Sequence, residues 1–202
     1  MASQYEAGFI GMFDSVDELI KQTENPHHRA ILLNYRAHGL LEVSQRYREL
    51  MIPDMMVEHP VYRMNEDGKS FVLDGRDQVT SFYQGLEASG AIVLWPVEQV
   101  VAVADWGFAS EALFRHFVPG SILAADGTDI DDLKATYLVT HVYSMVWPYD
   151  QRARLKGEHV YEDSSTRQIS KPEPADVITP ADAKRLLAPV LANPPALTAT
   201  TA

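Results

Sequence analysis

Residues 51–64 read Met-Ile-Pro-Asp-Met-Met-Val-Glu-His-Pro-Val-Tyr-Arg-Met. A long helical pattern precedes them, and Pro53-Asp54 turns the chain. The segment then alternates as a short strand over 55–62, with His59-Pro60 near its end. The functional expectation attached to this stretch is that its imidazole faces a cavity under the preceding helix. The flanking sequence reads as the walls of that cavity.

Upstream, 13–23 has the pattern of a helix, with Ser15-Val-Asp-Glu18 as a capping box. Asn25-Pro26 starts the next helix, Asn as N-cap and Pro at the first helical position. Ile31, Leu32, Tyr35 and His38 follow on one side at helical spacing. Gly39 reads as a break or C-cap. Residues 40–52 continue helically on the stripe Leu40, Val43, Tyr47, Leu50 and Met51 until Pro53 stops them.

Downstream, 70–73 is a second short strand after the turn at 65–68. A third helix, 76–88, carries Val79, Phe82, Tyr83 and Leu86 on one face. From residue 91 the period becomes two. Strand-like runs at 91–95, 99–104, 106–118, 134–147 and 152–161 are separated by Pro, Gly or Asp breaks. Helices first and strands later predict an α+β fold. It is a cone-shaped α+β barrel, its curved antiparallel sheet wrapped by three N-terminal helices. The polar stretch 164–174 and a helix started by Thr179-Pro180 make a C-terminal extension. The expected division is therefore 1–163 for the barrel domain and 164–202 for the extension. That helix docks by Ala183, Leu186, Leu187 and Val190, and the tail 196–202 reads as disordered.

Composition bounds the partners. The 202 residues are 46% hydrophobic and 22% charged, with a net charge of −11 and no cysteine. Such a balance argues against nucleic acid or an anionic membrane as partner, since either needs a basic face. Without cysteine there is no disulfide, thiolate metal site or Cys nucleophile. The first residues lack the pattern of a signal peptide, and no apolar run is long enough to span a bilayer, so a cytoplasmic location is expected. The acidic run 126–132 has the wrong spacing for an EF-hand and reads as a solvated hairpin loop. His27 and His28 are adjacent and diverge on a helix, which makes a poor metal pair. No phosphate loop or nucleophile elbow is present. No metal, nucleotide or flavin cofactor is expected.

Three pieces in order carry a resemblance. They are Asn34-Tyr35 on an aromatic helix, then Asp54 with Val57-Glu58-His59-Pro60, then Asp74-Gly75-Arg76-Asp77-Gln78-Val79-Thr80-Ser81-Phe82-Tyr83 before a run of strands. Over 25–163 the chain resembles the ketosteroid isomerase, SnoaL-like and nuclear transport factor 2-like superfamily. The resemblance implies the cone fold, a homodimer or higher homo-oligomer formed through the outer face of the sheet, and a hydrophobic cavity. In ketosteroid isomerases the position before that proline is an aspartate base, and the helical tyrosine donates to the substrate oxygen. Here Tyr35 matches the tyrosine, and His59 stands at the base position. The second oxyanion-hole acid falls near Thr140 or His141.

The resulting candidate site has His59 as general base, Tyr35 as oxyanion donor, and His141 and Glu158 to orient substrate or return a proton. Alternation puts Tyr137, Val139, His141, Tyr143 and Met145 on one face. The last strand offers either Glu158 with Val160 or His159 with Tyr161. Likewise Glu111 and Arg115 stand against Phe114 and His116. Trp95, Phe114, Tyr143, Met56, Phe82 and His159 are the expected substrate-binding residues. The function expected is a cofactor-independent acid–base enzyme of lyase, dehydratase or isomerase type, acting on a small apolar, ring-containing hydroxy or keto compound. The alternatives are a non-catalytic small-ligand or peptide binding module, a polyketide cyclase, or an epoxide hydrolase. The last needs an Asp–Arg–Asp set; Arg115 is its candidate arginine, without a clear aspartate pair.

Overall fold

The computed structural model describes residues 2–66 and 68–194. The tail 196–202 lies outside the described residues. Helices α1 (Glu6–Ile10), α2 (Asp14–Gln22) and α3 (Pro26–Val43) open the chain, and a 3-10 turn, Tyr47–Met51, follows. Next come strands β1 (Val61–Glu66) and β2 (Lys69–Asp74), then helix α4 (Arg76–Ser89). Strands β3 (Val93–Ala104) and β4 (Gly107–Pro119), the short helix α5 (Gly120–Ala125), and strands β5 (Thr136–Pro148) and β6 (His159–Ser170) complete the sheet. Helix α6 (Pro180–Ala192) ends the described chain. The architecture is α+β: a curved, open, six-stranded sheet in the order β2-β1-β6-β5-β4-β3, with helices against it. Among the described residues no helix is long and apolar enough to cross a membrane.

Local chemistry explains most of the helix boundaries. The Asn25 side chain accepts from the amides of His27 and His28, and Pro26 follows it, so α3 starts where the sequence reading puts it. Thr179 and Asp182 form a capping box that starts α6. Helix α6 docks as expected, with Ala183 and Leu187 fully buried and Leu186 and Val190 packed against the core. The expected capping box of α2 is absent: its N-cap is Phe13, with no side-chain cap. Gly39 does not break α3. It clears space for the Phe13 ring, whose Cζ would stand 2.5 Å from a Cβ at that position.

Two corrections matter for the site. The strand expected over 55–62 starts only at Val61, because Pro60 has no N–H to give the ladder. Residues 55–57 instead pair with Leu155: Val57 donates to its carbonyl at 3.0 Å, and its amide donates to Met55 at 2.9 Å. The last strand is His159–Ser170 rather than 152–161, and so runs across the 163/164 division. The sheet is also not wholly antiparallel. Strand β1 pairs parallel with β6, Arg63 opposite His159 and Met64 opposite Val160. The expected pair of strands at 91–95 and 99–104 is one strand, β3, bulged between Pro96 and Glu98. The acidic run lies, as expected, in the connection of the β4–β5 hairpin, after the short helix α5. Its acids meet lysines, with Lys171 on Asp131 and Asp132 and Lys69 on Asp126.

Candidate functional site

The concave side of the sheet encloses a cavity of about 280 Å³. Its walls are Met64 of β1, Phe82 and Leu86 of α4, Phe114 and His116 of β4, and the inward row of β5. That row is Val139, His141, Tyr143, Met145 and Trp147, so the alternation expected from the sequence sets this wall. The pairing of β4 with β5 puts Phe114 opposite His141, and the Phe114 and Tyr143 rings pack edge-on at 5.3 Å. The volume suits a compound of roughly one or two rings.

Two polar clusters meet this cavity. The first is built on His141, whose Nδ1 lies 2.8 Å from Glu162 Oε1, both side chains 2% exposed. With Nδ1–H donating to Glu162, Nε2 is the basic nitrogen of the neutral ring. Arg167 stands 3.7 Å from Glu162 and lines the cavity. An irregularity in the ladder brings these together: Val142 pairs with Asp163 and Thr140 with Gln168, so β6 carries extra residues opposite His141. Beside His141, at 4.3 Å between ring centres, Tyr143 donates its hydroxyl to Glu66 at 3.1 Å.

The second cluster is centred on His38. Its Nε2 lies 2.9 Å from Glu158 Oε1 and 2.9 Å from the Tyr83 hydroxyl. Tyr83 donates to Glu158 at 3.0 Å, which leaves Tyr62, 3.3 Å from Tyr83, as the donor to Tyr83. Glu42, one helical turn beyond His38, is 3.6 Å from the same Nε2. Glu42 and Glu158 both line the cavity, and the His38 ring stands edge-on to Trp147 at 4.8 Å. Burial alone pushes His38 down, but the Glu158 and Glu42 carboxylates more than offset it and hold its pKa at about 9. Burial pushes the Glu42 carboxyl up, against the opposing pull of His38. Burial, and then the Glu158 charge, push the Tyr62 and Tyr83 hydroxyls well above the ordinary phenol range, so both stay donors.

The structure separates the expected site residues. His141 and Glu158 reach the cavity, as do Phe114, Tyr143 and Phe82. His59 does not: it is 70% exposed, hydrogen-bonded to Asp74 at 2.7 Å. With β1 beginning only at Val61, residue 59 stays outside, and its ring lies over Gly75, whose φ of 92° starts α4. Tyr35 is a core residue. Its hydroxyl donates to Gln99 at 3.0 Å, and its ring packs on Phe13, Phe108 and Trp147. Trp95 and Met56 are buried in the core away from the cavity, Trp95 against Phe9 and Phe117. His159 faces outward, because the register turns Glu158 and Val160 in and leaves Tyr161 44% exposed. Arg115 also faces out, over the Tyr5 ring, and is no part of an epoxide-opening set. His27 and His28 both contact Asp105 at the β3–β4 turn.

Sequence reasoning missed His38, Glu42 and Glu162 as site residues. The His38–Glu42 spacing on one helix face was a usable signal. So was Glu162, which shares the alternation of Glu158 and Val160 once the strand is carried past 161.

No family model matches the chain, and no curated protein matches it. Among solved structures, a phenazine biosynthesis-related protein from Pseudomonas aeruginosa is similar at 12% identity and a TM-score of 0.41, covering 80% of this chain and 85% of that one. Bal32a, from a soil-derived mobile gene cassette, is similar at 9% identity and a TM-score of 0.42, covering 67% of this chain and 92% of its own. A protein of unknown function with a cystatin-like fold, from Methylobium petroleophilum PM1, is similar at 8% identity and a TM-score of 0.41, covering 76% of this chain and 90% of that one.

Proposed function

We propose that the protein is a cofactor-independent acid–base enzyme of the SnoaL-like and ketosteroid isomerase-like kind, acting on a small, mostly apolar ring compound. The observation that carries this reading is the His141–Glu162 pair, 2.8 Å apart and buried, in the wall of the apolar cavity. A carboxylate that fixes one ring nitrogen leaves the other to take and return a proton. His141 Nε2 removes a proton next to a substrate carbonyl, and Arg167 balances the negative charge that develops on the oxygen. The same proton then returns to a neighbouring carbon in an isomerisation, or to a departing hydroxyl in a dehydration. His141 replaces His59 as the base in this reading, and the pair Tyr35–His59 has no part in it.

The test is exchange of the α-protons of 2-hydroxycyclohexanone in D2O, followed by NMR. The wild type accelerates exchange, and Glu162→Gln lowers the rate by about 100-fold or more, because the tautomer is no longer fixed. If the compound binds and raises the melting temperature but its protons exchange only at the buffer rate, the cavity is a binding site without acid–base catalysis.

A homodimer belongs to the same reading. Val100, Glu111, Ser144 and Tyr161 form one row across the outer face of the sheet, and Val100 is 71% exposed. Exposed apolar residues on that row support a second copy packing there.

A further inference from the structure

The pairings of β1, β6 and β5 arrange the inward residues of the cavity in rows across the sheet. Met64 stands opposite Val160, and Val160 stands opposite Met145. Two residues further along β6, Glu162 stands opposite Tyr143 and holds His141. Two residues back, just before β6, Glu158 holds His38. The two polar clusters of the cavity are thus joined by four residues of extended chain, about 13 Å. The row between them is apolar. Met64, Val160 and Met145 all line the cavity and are 7%, 6% and 4% exposed.

Such a row suits an apolar ring. A hydrogen-bonding group placed there would lose its water and find no partner. Along the strands the row measures about 7 Å, two residues, which is close to the reach of one six-membered ring. The methionines flank Val160 on both sides, and their unbranched side chains adapt to a ring and pack their sulfur against an aromatic edge. The cavity also runs from His141 toward Ile122 and Asp126 of α5. That end is less dry: Ile122 is only half-buried, and Asp126 carries an ion pair with Lys69. A ring gains more by leaving water at the buried row than at that end.

We propose that the Met64–Val160–Met145 row selects the ligand by seating a second, apolar ring fused to the ring that lies beside His141. The substrate class narrows to two-ring compounds, and Val160, at the centre of the row, is the specificity-determining residue. This rests on the cavity being the ligand site, as proposed above, but not on His141 acting as a base.

The experiment uses two probes that share one ring: cyclohexanone, and 2-tetralone, which adds a fused benzene ring. Their affinities for the full chain are measured by calorimetry, and the methionine methyl groups are followed by NMR. 2-Tetralone is expected to bind at least about 10-fold tighter than cyclohexanone. Of the seven methionines, Met64 and Met145 line the cavity. Their methyl signals are expected to move with 2-tetralone, under the ring current of its benzene ring, and to stay in place with cyclohexanone. Val160→Phe fills the seat and is expected to remove the preference. 2-Tetralone binding no tighter than cyclohexanone to the wild type overturns the proposal. So does failure of 2-tetralone to bind, or a preference that survives in Val160→Phe. Methyl shifts confined to other methionines, or equal for the two probes, overturn it on the wild type alone, whether or not Val160→Phe folds. The catalytic reading fails separately: if 2-tetralone is preferred and moves both methyl signals while 2-hydroxycyclohexanone exchanges only at the buffer rate, the ring seat stands without acid–base catalysis.

Discussion

His38 ties the stability of the fold to pH. Its pKa rises from 6.5 in the unfolded chain to about 9 in the folded one. A raised pKa means the folded state holds the proton more tightly. The stabilisation is therefore complete below about pH 6.5 and is lost as the pH climbs through about 9. A shift of that size corresponds to about 3 kcal/mol. Glu42, also raised, adds a loss in the same direction as the pH climbs above its ordinary 4.5. Urea unfolding at pH 6.5 and pH 9 is expected to show the difference, and the slope is expected to shrink in His38→Gln. A stability that rises between those two pH values would contradict the assignment of charge in this cluster. Which way a side chain faces was legible for His141 and Tyr143, because a long strand with clean alternation leaves one choice. It was not legible for His59. Its side depended on a ladder starting at Met55, and the lack of an N–H at Pro60 delays that start to Val61.

Among the elements, β6 shows what alternation cannot specify. Residues 152–161 alternate well enough to look like a strand, yet Ala153 and Leu155 are buried within a connection, Leu155 bridging to Met56 and Tyr149. The strand proper begins after Gly157, which lies directly against the Val61 carbonyl, so that a Cβ there would collide with backbone. Gly157→Ala is expected to push β1 from the β6 entry, move Glu158 off His38, and cost about 2 kcal/mol or more in urea unfolding. At Gly39 two effects compete. Alanine is favoured in a helix by about 1 kcal/mol, but overpacking costs about 1–3 kcal/mol. Phe13 is buried and set edge-on to Tyr35 at 5.3 Å, so it has little freedom to yield. Gly39→Ala is therefore expected to destabilise, and a raised melting temperature would show that the Phe13 ring moves freely. Capping was the more legible part of the helices. Asn25-Pro26 and Thr179-Pro180 act as read, whereas Ser15 and Glu18 do not cap, because the helix already starts at Asp14 and Ser15 lies inside its first turn.

At the scale of the molecule, the order of helices then strands was enough for the α+β class, because element order follows from the change of period at residue 91. The parallel pairing of β1 with β6 was not readable, since strands distant in sequence carry no local signal of their partner. Helix α6 is part of the main core: Leu187 is fully buried, and that apolar cluster runs from Phe9 to Leu187. Leu187→Ala is expected to cost about 2–5 kcal/mol, read by urea unfolding; a loss below about 0.5 kcal/mol would mean that α6 is only loosely docked. The proposed dimer is expected to fall apart to a monomer on size-exclusion chromatography in the double variant Val100→Glu, Tyr161→Glu. A wild type that elutes as a monomer removes the dimer through this face.

The central claim is that the buried imidazole of His141, and not the exposed one of His59, moves the proton. The most direct measurement compares α-proton exchange of 2-hydroxycyclohexanone in His141→Asn and His59→Asn, side by side with the wild type. The account predicts that His141→Asn loses about 100-fold or more and that His59→Asn keeps the wild-type rate. Equal rates in all three proteins, or a loss confined to His59→Asn, would contradict it.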